Sequence, residues 1–182
     1  MTTLRLFLVL TGLTGLLYPG VTTLVGWWLF PSKAGGSLVR AADGQVRGSE
    51  LLAQKTRDPR HFWPRPSAVD YATVPSGASQ LAPTSTVLHE TASRRATEWR
   101  EAHGLAAGAP IPADLLFASG SGLDPHISPE AARLQIVRVA TARGVAPSVV
   151  QTEVDKRIER GGLLGEDRVN CLLLNLALDA LP

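Results

Sequence analysis

Between Ala118 and Ala131 the chain reads A-S-G-S-G-L-D-P-H-I-S-P-E-A, placing the hydroxyls of Ser119, Ser121 and Ser128, the carboxylate of Asp124 and the imidazole of His126 in one short run. These are the residue types of a nucleophile, base and orienting carboxylate. Their spacing argues against that use, because three members drawn from one short loop rarely reach triad geometry. Ser121 also lacks the flanking glycines of a nucleophile elbow, since position 119 is serine. The second chemistry available is binding. Gly120 and Gly122 can take positive φ and bring backbone N–H groups close to a partner. Ser128 suits an N-cap and Pro129 the first helical position, so the run opens a helix whose N-terminus can hold an anion. The same features also make a rigid packing turn, and the residues leave both readings open.

Other chemistries are absent. No G-x-x-x-x-G-K-[ST] loop is present, and His61, His89, His103 and His126 show no H-E-x-x-H spacing, which speaks against a metal site. A net charge of +2 is too slight to imply nucleic acid, and Arg94-Arg95 reads as a solvated helix face. The single cysteine, Cys171, permits no internal disulfide.

The elements that must position these residues begin with a membrane span. From Leu6 to Ser32 no residue is charged, and Leu6–Phe30 exceeds the roughly 20 apolar residues needed to cross a bilayer. Trp27 and Trp28 sit where an interfacial aromatic belt belongs. A cleaved signal peptide is the competing reading, with Ser32-Lys33-Ala34 as a loose cleavage site, but the apolar run outlasts the roughly 7–15 residues of such a segment. Thr11, Gly15, Tyr18, Thr22 and Gly26 fall at i, i+4, i+7, i+11 and i+15, one face of a straight helix, and their small residues admit a partner helix closely. Pro19 predicts a bend near mid-membrane. The charges flanking the span signal topology weakly.

Residues 1–5 are thus expected as a short N-terminal extension, 6–30 as the transmembrane helix, 31–48 as a Gly/Ser/Ala-rich linker and 49–182 as one soluble domain. Within that domain Leu51-Leu52-Ala53 and Leu115–Ala118 read as short strands, and the Pro/Gly/Ser-rich stretch Asp58–Pro83 as an ordered binding loop. Helices are expected over Val87–His103, Pro129–Arg143 and Pro147–Arg160, stopped by Gly104, Gly144 and Gly161, with a final core helix over Val169–Leu181. The fold class is α+β: one N-terminal transmembrane helix followed by a single compact mixed domain.

Beyond these patterns, the residues carry a resemblance. The 118–131 run continues into Gln135, Arg138-Val139-Ala140 and Ala142-Arg143-Gly144. Before it stand Gly48-Ser49, Gln54, Phe62, Arg65-Pro66-Ser67-Ala68 and Tyr71; after it come Arg168-Val169-Asn170 and Leu174-Asn175-Leu176-Ala177-Leu178-Asp179, with Tyr18-Pro19 and Phe30-Pro31 in the span. Together, and in this order, they resemble the KdpC family, the small subunits of the bacterial Kdp potassium-transporting ATPase. Three positions depart from the family pattern: Ala78-Ser79-Gln80-Leu81 stands where Gly-Ser-Asn-Leu is usual, Pro64 replaces a glycine, and Cys171 replaces a valine.

The resemblance implies a non-catalytic accessory subunit in the bacterial cytoplasmic (inner) membrane, single-pass, with residues 1–5 as a short cytoplasmic N-terminus and the large domain, 49–182, outside the cytoplasm. Its implied partners are a pore-forming KdpA-like subunit and a P-type ATPase KdpB-like subunit, with membrane lipid and without nucleic acid. The family is described as a catalytic chaperone that raises the ATP affinity of the pump subunit. No cofactor is expected to be tightly bound, ATP being available through the complex. The nucleotide candidates are Gln135, carried over from the family, with Ser119, Gly120, Ser121 and Gly122 of the loop. Two mechanisms therefore stand. The domain retains nucleotide through these residues, or it is a structural cap over the potassium entrance with no nucleotide contact. A membrane-tethered hydrolase using Ser121 or His126 ranks last.

Overall fold

The computed structural model describes residues 1–41 and 43–181; Ala42, in the stretch expected as a linker, and the terminal Pro182 lie outside the described residues. The chain divides into two units, Met1–Ser49 and Glu50 onward.

The first unit opens with helix Thr2–Leu29, 28 residues long and apolar enough to cross a membrane, none of whose residues is buried within the chain. It comprises α1 (Thr2–Gly12), a π turn (Leu13–Leu17) and α2 (Tyr18–Leu29). The irregularity expected at Pro19 takes the form of this wider turn, in which the Tyr18 N–H donates to the Leu13 carbonyl, five residues back. Pro19 lacks an N–H and its ring crowds the carbonyl four residues earlier, Gly15; widening the turn there removes the conflict. The wider turn also absorbs one extra residue, which rotates everything after it by about 100° relative to a straight α-helix. Thr11 precedes this turn, Gly15 lies within it, and Tyr18, Thr22 and Gly26 follow it.

The stretch expected as a linker is instead structured. A helical turn, α3 (Pro31–Ala34), is followed by an antiparallel hairpin of β1 (Leu38–Arg40) and β2 (Val46–Ser49). Ser49 closes it by donating its hydroxyl to the Gly36 carbonyl at 2.7 Å.

The second unit mixes helices with one small sheet. Its helices are α4 (Thr86–His103), the single turn α5 (Ala113–Leu116), α6 (Pro129–Arg143), α7 (Pro147–Lys156) and α8 (Cys171–Asp179). β3 (His126–Ile127), β4 (Ile158–Glu159) and β5 (Arg168–Asn170) form an antiparallel sheet in the order β3-β5-β4. The stop signals of α4 and α6 act as expected: Gly104 and Gly144 are left-handed, at φ 62 and 71. Ser128 caps α6, accepting from the Ala131 N–H at 3.0 Å. The α+β expectation is met in its mixture of helices and sheet.

Four expected elements differ. The final helix, expected over Val169–Leu181, runs only from Cys171 to Asp179, because Val169 and Asn170 are taken into β5. α7 stops at Lys156, not Arg160, because Ile158 and Glu159 are recruited by β5. Leu115 is fully buried, but on a helical turn entered from Pro112 rather than on a strand. Leu51 and Leu52 are exposed and lie in a turn rather than a strand; only Ala53 turns inward, its N–H donating to the Leu123 carbonyl at 2.8 Å. Apolar runs this short carry no decisive period.

The core gathers Phe62, Trp99, Leu115, Ile127, Val139, Val150, Val154, Val169, Leu174 and Leu178, with the small Ala131, Ala132 and Ala140 of α6 letting neighbours approach. α6 buries one long stripe, Ala132, Ile136, Val139 and Ala140, as its spacing predicts.

Candidate functional site

The 118–131 run leads from α5 through β3 into α6, and the side chains of Ser119, Ser121, Asp124 and Ser128 each accept from a backbone N–H of the run itself. Ser119 Oγ accepts from the Gly122 N–H at 2.9 Å, and Ser121 Oγ from the Leu123 N–H at 3.1 Å. Asp124 Oδ1 accepts from the His126 N–H at 3.0 Å. The Ser128 N–H donates to Asp114 Oδ2 at 2.7 Å. The N–H groups of Gly122, Leu123, His126, Ser128 and Ala131 are thus all engaged within the protein.

Neighbouring segments grip the run from outside. The Gly77 N–H donates to the Ser121 carbonyl at 2.9 Å, and the Cys171 N–H to the Pro125 carbonyl at 2.9 Å. Gly122 sits at φ +72 where a Cβ would lie 2.7 Å from Val69 Cγ2 and 2.9 Å from the Gly77 carbonyl oxygen. Gly120, by contrast, has open space around it and is exposed. This is the geometry of a packing turn.

Asp124 and His126 do meet, Nδ1 to Oδ1 at 3.3 Å, but the other Asp124 oxygen is held by Arg65 at 2.9 Å, and His126 Nε2 faces Glu159 at 4.0 Å. The Ser119 and Ser121 hydroxyls are occupied in turns rather than set against that imidazole. A cleft of about 670 Å³ opens at the start of α6, lined by Ser128, Pro129, Glu130, Arg133, Asp155, Ile158, Arg160, Glu166 and Asp167. Four of its lining side chains are carboxylates and two are arginines, an environment that repels phosphate.

Gln135, the carried-over nucleotide candidate, is fully buried on α6. Its Oε1 accepts from the Trp63 N–H at 2.8 Å and its Nε2 donates to the Trp63 carbonyl at 3.1 Å. One residue earlier the pattern repeats from the other side. Asn175 of α8 accepts from the Phe62 N–H at 2.7 Å and donates to the Phe62 carbonyl at 3.0 Å. Two side-chain amides therefore hold the extended Phe62-Trp63 backbone as a neighbouring strand would.

Arginines complete the clamp. Arg138 donates to the carbonyls of Pro59 (2.7 Å) and His61 (3.0 Å), to Gln135 Oε1 (2.8 Å) and to His103 Nε2 (3.0 Å), and lies 4.1 Å over the Trp63 ring. Burial, with the nearby Arg57 charge, lowers its pKa to about 10. Arg57 covers the Trp63 ring at 4.7 Å, Trp63 meets Trp99 edge-on at 5.5 Å, and His103 stacks on Trp99 at 4.8 Å. Arg143 donates to the Arg60 carbonyl at 2.7 Å, the Leu178 carbonyl at 2.8 Å and Asp179 at 2.7 Å. The 58–63 segment, expected as part of a binding loop, is fastened to α6 and α8 along its length.

Sequence reasoning missed Asn175, Arg138 and Arg143 as clamp residues, although each lies in a motif of the KdpC resemblance. It also placed Arg95 on a solvated face; Arg95 instead donates to the Leu116 carbonyl at 2.6 Å, while Arg94 does pair outward with Glu98. Gln80, one of the departures, is left-handed at φ 55, a conformation that asparagine tolerates better than glutamine.

Similarity to known proteins agrees with these motifs. The family model described as KdpC, K+-transporting ATPase, c chain, matches residues 1–180. A Potassium-transporting ATPase KdpC subunit of Sorangium cellulosum is 52% identical, over 97% of this chain and 94% of its own length. Proteins of the same name from Myxococcus xanthus and Methylococcus capsulatus are 49% and 48% identical, each over 98% of this chain and over 86% and 95% of their own lengths. With the family model matching residues 1–180 and these relatives about half identical over nearly the whole chain, the chain belongs to the KdpC family.

Proposed function

We propose that the chain is a non-catalytic accessory subunit of an ATP-driven potassium uptake complex in the bacterial cytoplasmic membrane, and that its domain is a structural cap outside the cytoplasm over the potassium entrance. Its partners are a pore-forming KdpA-like and a P-type KdpB-like subunit. The helix Thr2–Leu29 docks along them in the bilayer through Thr11, Gly15, Tyr18, Thr22 and Gly26, where small residues let another helix approach. The observation that carries the cap reading is the commitment of Gln135, whose amide is sealed against the Trp63 backbone. The engaged N–H groups of the 118–131 run and the carboxylate-rich cleft at the start of α6 support it.

The alternative is a catalytic chaperone that raises the ATP affinity of the pump subunit through Gln135, Ser119, Gly120, Ser121 and Gly122. Gln135→Ala separates the two. Losing the amide leaves the Trp63 N–H without its acceptor, leaves the Trp63 carbonyl with only the weak Cys171 thiol contact at 3.9 Å, and opens a cavity, at a cost of about 3 kcal/mol. The cap reading expects a lower melting temperature for the full chain in detergent and an unchanged apparent ATP affinity of whatever complex assembles. An unchanged melting temperature with weakened ATP activation of the complex overturns the cap reading in favour of the chaperone.

A further inference from the structure

Between β4 and β5 the chain runs Arg160-Gly161-Gly162-Leu163-Leu164-Gly165-Glu166-Asp167. Leu163 and Leu164 are 98% and 99% exposed, the two most exposed large apolar side chains among the described residues of the second unit. Leaving two leucines wholly in water is unfavourable, and apolar groups so displayed mark a contact with something else. The loop is shaped to display them. Its base is pinched where the Gly161 and Gly165 backbones cross: a Cβ on Gly161 would lie 2.1 Å from the Gly165 carbonyl carbon, and one on Gly165 2.5 Å from the Gly161 oxygen. Gly162 supplies the left-handed turn at φ +66. Below the crossing, the Gly161 N–H donates to Asp167 Oδ1 at 3.1 Å and Arg168 pairs with Glu159 at 3.0 Å.

Three occupants suit two leucines: lipid, a second copy of the chain, or a pocket in another protein. Segments that lie on membranes carry an excess of Lys and Arg. Here Arg157, Arg160 and Arg168 are balanced by Glu159, Glu166 and Asp167, and Arg168–Glu159 and Arg160–Asp167 pair with each other. Nothing is left to draw the tip to anionic headgroups. A dimer held at the tip would be far below the roughly 20–30 residues per side that a stable interface needs. A short apolar anchor seated in a desolvated pocket within a larger interface fits both its size and its neutrality.

We infer that the Leu163-Leu164 tip is a protein-docking anchor that inserts into an apolar pocket of another subunit of the complex. This rests on the accessory-subunit reading above. The test uses the full chain with Leu164→Cys; Cys171 is buried and does not compete for label. A maleimide is reacted with the chain isolated in detergent, with the isolated chain in lipid nanodiscs, and with the complex purified in the same detergent. Docking expects labelling at least about tenfold slower in the complex than in either isolated form, and Leu163→Ala with Leu164→Ala to lower recovery of the complex about tenfold while the melting temperature of the isolated chain holds. Equal labelling in the complex and the isolated chain overturns the inference. Protection in nanodiscs without partners identifies lipid and overturns it, as does protection that grows with concentration of the isolated chain, which identifies self-association. Failure of the unsubstituted chain to co-purify with any pump subunit is the distinct result that removes the accessory-subunit reading, and the tip anchor with it.

Discussion

His103 shows how far the clamp depends on single protons. Its Nδ1 lies 2.9 Å from the Trp99 carbonyl, which accepts but cannot donate, so the proton belongs there and Nε2 is left to accept from Arg138 at 3.0 Å. Burial pushes the imidazole down from 6.5 to about 4, the Arg138 and Arg57 charges pushing the same way and the Trp99 carbonyl against them. Protonation would put two cations face to face and take away the acceptor. A residue whose folded pKa is depressed contributes stability that is complete above its unfolded value and is lost as pH falls toward the folded one. The window here is therefore from about 6.5 down to about 4. Denaturant titrations of the full chain at pH 7.5 and 4.5, set against His103→Gln, should show the difference between the two proteins shrinking at the lower pH. A difference that does not change with pH would remove His103 from the acid sensitivity of the fold. The same scale explains why the clamp is hard to read from sequence. Gln135 and Asn175 sit inside helices, where an amide ordinarily signals the solvent side; only the Phe62-Trp63 backbone beside them makes them interior residues.

At the scale of the elements, legibility follows locality. α4 and α6 are written in their own residues: an apolar stripe at helical spacing, Ser128 and Pro129 at the start of α6, and Gly104 and Gly144 at the stops. β3, β4 and β5 have two or three residues each and exist only because β5 lies between the other two, so no local pattern announces them. The hairpin over 38–49 hides in the same way behind a composition that reads as a linker. The loop between α5 and β3 stands between these cases, its turn chemistry being legible and its neighbours not. Its two glycines separate the possible reasons for their presence. Gly122→Ala forces a left-handed Cβ into Val69 and the Gly77 carbonyl and should cost about 3 kcal/mol. Gly120→Ala meets open space and should fall within about 0.5 kcal/mol of the parent. Chemical denaturation of both proteins checks this; equal effects would mean that the loop's shape does not depend on the close approach at Gly122.

Across the whole molecule, the apolar helix and the packed core lie in different units. Every residue of the core cluster, from Phe62 to Leu178, and both amide clamps belong to the second unit. The first unit contributes a helix with no buried residue and a hairpin closed by its own contacts. In a bilayer such a helix is held by lipid and by partner helices rather than by the chain's own core. Removing residues 1–49 therefore takes away no core side chain and no clamp. The fragment 50–182 is expected to be water-soluble, to melt in one cooperative transition within a few degrees of the corresponding transition of the full chain, and to keep the pH response of His103. It should not co-purify with the pump subunits at the level of the full chain, because the tip at Leu163-Leu164 is too small to hold a complex without the helix. Calorimetry of the fragment and a pull-down from detergent-solubilised membranes measure the two halves separately. Loss of cooperative melting would mean that the first unit is part of the folding core. Full recovery of the complex with the fragment would mean that the membrane helix is not the principal attachment.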